Sequence, residues 1–428
     1  MRIARRPSSA SHALAALTVA LALPVPAASE EVVFTKLADE DTAIRAHGDR
    51  PALHDGKVAL LGRDQATQIA GIYWTLADGS GPFVLVADEL TPIPNAPGEV
   101  FELLRNPAIF DGVVAFAGGH QVDINEGVYL GDGGELEVLV DRSAGHPTPD
   151  HPSFDAAGVS YEIHPSVFEQ PVFQPRDGSG PFLVAASGAP APGGGIFATF
   201  DLNSTPALGG GLVAFAALVT APGIAGVYTY DTANGALDWI ANGMTPMPGH
   251  PVSFEFFSAA DTDGRSVAFA GMHGLPCCGG ELGVYLAPAA SSGQGPFTVI
   301  AERNQAVPGV PGAVFDTFGS VAVDGDLVVF EGFWALEGDP GMGIYVWRRG
   351  RLFPIVDTTD ILADEDLLGF SMTHRSVDGD QIAFRAIFDD PTAPFEQGLA
   401  LWVATLAGTL FGDGFESGDT SAWSLTVP

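Results

Sequence analysis

Basic side chains are scarce in this sequence, and several of them recur at comparable places along it. The 428 residues include 18 Lys and Arg against 52 Asp and Glu, for a formal net charge of −34 at pH 7. Guanidinium and imidazole groups can hold a carboxylate or a phosphate through charge-assisted hydrogen bonds. Six such groups stand in or just before strands that we expect to line a central channel: Arg45, His47, Arg50, Arg105, His374 and Arg375.

These six residues make up the ligand-binding hypothesis of the sequence. If their strands are neighbours in space, they bind an anionic small molecule or glycan, such as a uronate or a phosphorylated molecule. The alternative is that the cations pair with local acids such as Asp49 and Asp378.

Catalytic motifs are absent from the sequence. Paired carboxylates could cleave a glycosidic bond, but with 52 acids some pair is always available, so no dyad is assigned. The chain has no Gly-x-Ser-x-Gly elbow, no His-Glu-x-x-His and no phosphate loop. We therefore predict no catalytic residue.

Two runs of acidic residues make calcium a possible cofactor, and no other cofactor is predicted. Asp39-Glu40-Asp41 and Asp364-Glu365-Asp366 offer several oxygen ligands each, yet they lack the alternating spacing of a dedicated calcium loop, and solvated turns are the alternative. His146 and His151 flank a Pro-rich loop, where a metal would need ligands from elsewhere. Cys277 and Cys278 are adjacent, so a disulfide between them would close only a strained ring within one loop.

A repeated segment indicates the elements that must position these groups. It is a turn followed by a short apolar strand, as in Asp111-Gly112-Val113-Val114-Ala115-Phe116. Asp-Gly between apolar runs is a hairpin signal, because both residues tolerate positive φ. Counted at the last strand residue, seven copies end at positions 60, 116, 161, 215, 269, 330 and 384.

Other shared landmarks divide each repeat into four strands. A Gly-Ile/Val-Tyr strand follows the repeated segment, as in Gly127-Val128-Tyr129, then comes a strand that often ends at an acid, and then a Pro-Gly loop with a Phe. The sequence predicts an all-β fold, a seven-bladed β-propeller of four-stranded antiparallel blades. Residues 31–39 resemble a fourth strand without its first three, and we expect them to close the last blade. An open solenoid would need capping units, which the sequence lacks.

These motifs resemble those of secreted bacterial β-propeller proteins of uncharacterised function. The resemblance covers about residues 31–405, and the third repeat departs from the pattern. The segment Gly414-Phe415-Glu416-Ser417-Gly418-Asp419-Thr420-Ser421-Ala422-Trp423-Ser424 is similar to a short C-terminal tail on many exported proteins of some Gram-negative bacteria. The resemblance implies a scaffold and an export or surface tag, and it implies no activity.

The chain ends set the predicted domain boundaries. Arg2, Arg5 and Arg6 precede an apolar run and small residues, which indicates a cleaved signal peptide over residues 1–27. The propeller is expected over 28–408 and a tail over 409–428. The chain is then secreted, periplasmic or on the cell surface, and its acidic surface repels nucleic acid. We expect a monomer without membrane insertion.

The functional prediction is a non-catalytic binding module of unknown ligand. In a closed propeller the first strand of each blade is innermost, and blades seven, one and two are neighbours, so the six basic residues would meet at one sector of the channel. One alternative is an extracellular carbohydrate-active enzyme, a hydrolase or lyase, that uses this channel. Another is a structural surface protein, since propellers host all three classes.

Overall fold

Nearly all of the described chain is extended, and its strands form seven antiparallel sheets. The structure is a computed structural model, which describes residues 31–48, 50–120, 126–142, 148–163, 170–200, 205–220, 225–274, 279–336, 338–362, 365–389 and 397–407. The sheets belong to one contact unit, Val32–Gly408. Within the described ranges no helix is long and apolar enough to cross a membrane.

Several features predicted from sequence lie outside the described residues. They are the signal peptide 1–27, the tail 409–428, Cys277, Cys278, His146, Asp49 and Asp364. A second contact unit, Met1–Glu31 with Thr409–Pro428, lies outside them too, apart from Glu31.

Each sheet is one blade of the predicted propeller, and the blades follow one another along the chain. The first strand, β1 (Glu31–Ala38), belongs to the last blade. Blade one contains β2 (Ile44–Ala46), β3 (Ala52–His54), β4 (Lys57–Asp64), β5 (Ala70–Leu76) and β6 (Val84–Asp88). Blade two contains β7 (Leu103–Phe110), β8 (Val113–Gly119), β9 (Gly127–Gly131) and β10 (Glu137–Asp141), and blade three contains β11 (Pro149–Phe154), β12 (Gly158–Ile163), β13 (Gln170–Pro175) and β14 (Phe182–Leu183). Blade four contains β15 (Ile196–Phe200), β16 (Ala207–Gly209), β17 (Leu212–Thr220), β18 (Ala225–Asp231) and β19 (Leu237–Asn242).

Blades five to seven repeat the same order. Their strands are β20 (Phe256–Thr262), β21 (Ser266–His273), β22 (Glu281–Pro288) and β23 (Thr298–Glu302); β24 (Val314–Asp324), β25 (Leu327–Leu336), β26 (Asp339–Arg348) and β27 (Arg351–Asp357); and β28 (Ile361–Leu362), β29 (Glu365–Ser371), β30 (Val377–Asp378), β31 (Gln381–Asp389) and β32 (Gln397–Ala407).

The last blade is closed by the N-terminal strand, as predicted. Its order is β1-β32-β31-β29-β28, so β1 covers the edge that β32 would otherwise expose. Phe34 on β1 meets Phe384 on β31 edge to face, with ring centroids 6.3 Å apart. Residues from opposite ends of the chain therefore share one blade core.

An aromatic cluster built from the repeat motifs fills each blade. In blade two, Tyr129 is fully buried and packs at 5.0 Å from Phe101 and 5.7 Å from Phe116, measured between ring centroids. A Cβ on Gly127 would stand 2.9 Å from the Tyr129 ring, and the same clash arises in the other Gly-Val-Tyr copies of blades four and five. The glycine of this motif is therefore needed because the tyrosine ring folds back over it.

The innermost strand of most blades is interrupted near its middle, which the sequence prediction of one continuous strand did not include. In blades two and three the register shifts at Asn106 and His151, whose φ angles are +53° and +50° and which both precede a proline. In blade seven a 3₁₀ turn, His374–Ser376, separates β29 from β30. Each interruption turns a side chain toward the axis of the channel.

The aspartates of the Asp-Gly repeats occupy two different structural positions, one residue apart. Asp55 and Asp111 are turn residues with positive φ, as predicted. Asp324 and Asp378 are instead the last residues of their innermost strands. In every blade the equivalent residue stands six positions before the last residue of the repeated apolar strand. We call it the latch position, and its seven members are His54, Phe110, Asp155, Gly209, Asp263, Asp324 and Asp378.

Most latch positions bind the next blade. Asp378 accepts from Asp55 N at 2.7 Å, which joins blade seven to blade one, and His54 Nδ1 accepts from Asp111 N at 3.2 Å. In the same way, the latch aspartates of blades three, five and six each accept a hydrogen bond from a backbone N–H of the next blade. Gly209 has no side chain because a Cβ there would lie 2.0 Å from Thr262 O of blade five. The Asp-Gly signal, interpreted from sequence as hairpin chemistry alone, thus also fastens neighbouring blades.

Candidate functional site

Two cavities lie in the central channel, one at each end of the innermost strands. The wide cavity has a volume of about 650 Å³ and is lined by residues near the interruptions of the innermost strands, together with Glu331, Phe333 and Arg385 of the second strands of blades six and seven. The narrow cavity, of about 220 Å³, lies beside the latch positions. His374 and Arg375 line both, so the 3₁₀ turn of blade seven stands between them.

One residue from each blade contributes to the wall of the wide cavity, and the strand pairing shows that these residues are equivalent. On the innermost strands, the residues that pair with the same position of the repeated apolar strand are Ala52, Ala108, Ser153, Ala207, Asp261 and Ala322, and extending the pairing of Val377 by one residue adds Ser376. The residues two positions earlier all line this cavity, and we call them the channel ring: Arg50, Asn106, His151, Thr205, Ala259, Ser320 and His374.

The channel ring carries a sequence signal that the repeat analysis missed. Its members in blades one to four all precede a proline, as Arg50-Pro51 and Thr205-Pro206 do. A proline removes a backbone donor and disfavours helical backbone before it, so it marks an interruption of the strand. Six of the seven side chains are polar, but they share no charge and no functional group.

The structure brings three of the six predicted basic residues together. Arg50, His374 and Arg375 line the wide cavity. Arg50 Nη1 donates to Ser320 Oγ of blade six at 3.1 Å. Arg375 donates from Nη1 to the carbonyl oxygens of Asn106 and Pro152, which fixes its guanidinium against blades two and three.

The other three predicted residues do not line the wide cavity. Arg45 Nη2 pairs with Glu40 Oε1 at 2.9 Å, and His47 Nε2 lies 3.2 Å from Arg63 Nη2. Arg105 pairs through Nε with Asp150 Oδ2 at 2.8 Å and through Nη2 with Glu126 Oε1 at 3.3 Å. For Arg45 and Arg105 the geometry matches the alternative that cations pair with local acids, whereas His47 contacts a second basic side chain.

Two cavity histidines experience opposite electrostatic surroundings. Burial alone would lower the pKa of His151, but the carboxylates of Glu162 and Asp150, which lie 3.7 and 3.8 Å from its Nδ1, outweigh burial and raise that pKa. Burial holds the pKa of His374 well below its usual value, and the charges of Arg375, His151 and Arg50 lower it further. At neutral pH the cavity therefore contains a neutral imidazole beside several cations.

Arg385 and Glu331 also line the wide cavity, and sequence reasoning missed both. They directly follow the last residue of the repeated strand, where Ala117, Ala216 and Ala270 stand in other blades. A comparison of that one position across the repeats would have found them. Glu162, whose carboxylate lies 3.7 Å from His151 Nδ1, occupies the same position in blade three.

Glu331 is buried against donors from two blades. Its Oε2 accepts from Ser320 N at 3.1 Å and its Oε1 from Met372 N at 2.8 Å. Burial raises its pKa, and the Arg50 charge and these bonds oppose that rise. Phe318 and Phe333 of the same blade also line the cavity, so blade six contributes apolar surface to it.

The candidate calcium residues do not gather into a site among the described residues. Over those ranges, no group of three or more His, Cys, Asp or Glu is placed to hold a metal ion. Asp39 instead accepts from Asp41 N at 2.9 Å and Thr42 N at 3.0 Å and pairs with Lys36 Nζ at 2.5 Å. This acidic run is a turn stabilised by its own backbone.

Comparisons with known proteins give a family and a fold. A family model described as "Family of unknown function (DUF7453)" matches residues 36–324. No curated protein matches the chain. Among solved structures, a prolyl endopeptidase is 14% identical with a TM-score of 0.50, over 83% of this chain and 50% of that one, so the chain spans about half its length.

Two lyases also have similar structures. The polysaccharide lyase Uly1 is 9% identical with a TM-score of 0.48, over 84% of this chain and 90% of that one. An oligogalacturonate lyase in complex with manganese is 13% identical with a TM-score of 0.46, over 89% and 95%. The likeness to the prolyl endopeptidase, at 14% identity and a TM-score of 0.50, supports a similar fold and nothing further.

Proposed function

Because the chain belongs to DUF7453, a family of unknown function, we propose its function from the geometry of the channel: it binds a small anionic molecule in the wide cavity. The observation that carries this proposal is the convergence of Arg50, Arg375 and Arg385 with His151 on one cavity, in a chain with only 18 Lys and Arg. Guanidinium groups suit carboxylates and phosphates because they donate paired hydrogen bonds.

The size and the walls of the cavity narrow the ligand class. A volume of about 650 Å³ lies in the range of small-molecule sites and suits a ligand of one or two sugar units. Phe318 and Phe333 offer an apolar surface for the ring of the ligand, while the cations on the other blades face its charge. A uronate or another ring-bearing carboxylate fits this combination. The same proposal includes that the protein is exported and acts as a binding protein without catalysing a reaction.

Calorimetry with D-galacturonate and its neutral counterpart D-galactose tests the proposal. We expect the uronate to bind and galactose not to bind. Arg50→Ala should weaken uronate binding by roughly tenfold or more, since a hydrogen bond to a charged group contributes about 1.5–3 kcal/mol.

Arg45→Ala is the matched control, because Arg45 lies five residues away and pairs with Glu40 outside the cavity. It should leave the affinity unchanged. Equal binding of galactose, or equal loss in the two variants, would contradict the proposal. Inorganic phosphate and malonate, tested in parallel, distinguish a uronate site from a general anion site.

A further inference from the structure

His374 has one nitrogen without a partner inside the channel. Its Nδ1 lies 3.3 Å from Thr205 Oγ1 of blade four, which orients the imidazole. Its Nε2 is buried and has no hydrogen-bond partner among the described residues. A buried polar atom without a partner is costly in a folded protein, so a ligand that bonds to this nitrogen would remove that cost.

Titratable and charged groups line the cavities on both sides of His374. On the wide side they are Arg50, His151, Glu331, Arg375 and Arg385. On the narrow side they are His54, Asp155, Asp261, Asp263, Asp324 and Asp378. The acids on that second side accept backbone N–H groups of neighbouring blades. The pKa of His374 is held well below its usual value, so burial and the nearby cations outweigh the acids of the narrow cavity.

We propose that an anion and one proton enter the wide cavity together: His374 Nε2 takes up the proton and donates it as a hydrogen bond to the ligand. This inference rests on the proposed function and adds the group that couples binding to protonation. An anion placed among the cations cancels the repulsion that keeps the imidazole neutral. The proton comes from solvent, no covalent bond to the ligand forms, and Thr205 keeps the imidazole in place.

Linkage fixes the direction of the pH dependence. Protonated His374 binds the anion better than neutral His374, so the bound anion must raise the proton affinity of His374 by the same factor. Binding should therefore tighten as pH falls from 8 to 6, by up to tenfold per pH unit for one coupled proton. Asp150 and Glu162 already favour the charged form of His151 without an anion, so the comparison with His374→Gln separates the contributions of the two histidines.

Proton uptake measured by calorimetry tests the proposal. D-galacturonate and malonate are titrated into the full chain at pH 7 in PIPES and in Bis-Tris, whose ionisation enthalpies differ. We expect uptake approaching one proton per bound anion. In His374→Gln, which keeps a polar side chain of similar length, uptake and pH dependence should disappear while weaker binding remains.

His250→Gln is the control, because His250 contacts Glu302 and Glu281 away from the channel; it should retain the full uptake. Nitrogen-15 spectra of histidine-labelled wild-type protein cover the case in which His374→Gln does not fold. The His374 signal should report a neutral ring at pH 7 without anion and a charged ring with saturating D-galacturonate.

Anion binding without proton uptake, or uptake that persists in His374→Gln, overturns this inference and leaves the proposed function standing. If neither anion binds, the proposed function is wrong and the inference is wrong with it.

Discussion

At the scale of single residues, Asp261 departs most clearly from its repeat. The six positions that the register aligns with it hold only Ala or Ser: Ala52, Ala108, Ser153, Ala207, Ala322 and Ser376. Asp261 is 4% exposed, and its Oδ2 accepts from Val323 N of blade six at 2.7 Å. Burial, reinforced by the negative charges of Asp263 and Asp324, raises its pKa well above the usual value.

Replacing Asp261 with Asn should make the protein more stable at neutral pH. The folded state holds the Asp261 proton more tightly than the unfolded state, so this residue costs stability as pH rises above about 4. Each unit by which the pKa is raised corresponds to about 1.4 kcal/mol, and Asn keeps an oxygen for Val323 N.

Urea unfolding between pH 4 and 8 measures the difference. The advantage of Asp261→Asn over wild type should be smallest near pH 4 and grow toward pH 7. Asp41→Asn, on an exposed turn, should run parallel to wild type across the range. An Asp261→Asn advantage that does not change with pH would show that the carboxyl stays ionised in the fold.

At the scale of elements, the hairpin turns connect the blades as well as ending strands. Asp155 shows both roles: its Oδ1 accepts from Ala157 N at 2.7 Å within its own turn, and its Oδ2 accepts from Gly211 N of the next blade at 2.8 Å. Where Phe110 replaces the acid, its ring packs 5.7 Å from Phe154 of blade three instead. A turn type is thus a local property, while the latch depends on the neighbouring blade.

The latch between blades seven and one gives a direct stability prediction. Asp378→Ala removes the acceptor for Asp55 N, so the unfolding free energy should fall by about 1 kcal/mol, the usual net contribution of one hydrogen bond. Denaturant unfolding measures this change. Asp339→Ala, an exposed aspartate on β26, should change the unfolding free energy by less than about half of that, and a similar loss in both variants would contradict the latch role.

At the scale of the whole molecule, closure depends on eight residues. Without β1, the β32 edge would expose a row of backbone donors and acceptors to other chains. Phe34 would leave the aromatic core around Phe384, and the contact of Lys36 Nζ with Trp402, at 5.8 Å from the ring, would be lost. The two ends of the ring therefore depend on each other for stability.

A chain that begins after residue 38 should aggregate or unfold at a lower temperature than the chain that keeps β1. Adding a synthetic peptide of residues 31–38 should restore the elution volume and the unfolding temperature of the chain with β1, because the peptide can pair with β32 as β1 does. A peptide of the same composition in scrambled order should not restore them. Size-exclusion chromatography and thermal unfolding measure both effects. A truncated chain that behaves as wild type without peptide would disprove the closure role of β1.

The repeated pattern alone was enough to predict much of this protein. Seven copies of an apolar strand with its Asp-Gly turn indicated seven blades, and the unmatched strand at residues 31–39 indicated closure. These predictions succeed because strand alternation, turn chemistry and the Gly-Val-Tyr motif are local, and each repeat states them again. The tyrosine that folds over its own glycine needs no distant residue.

The tertiary structure decided which residues belong to the site. Arg50 and Arg105 have the same chemistry on the innermost strands of neighbouring blades, yet only Arg50 lines the wide cavity. Arg105 lies before the interruption at Asn106 and meets Asp150 of the next blade and Glu126. Whether a cation faces the channel depends on where its strand is interrupted and on which acids other blades bring to it, and neither is a property of its own repeat.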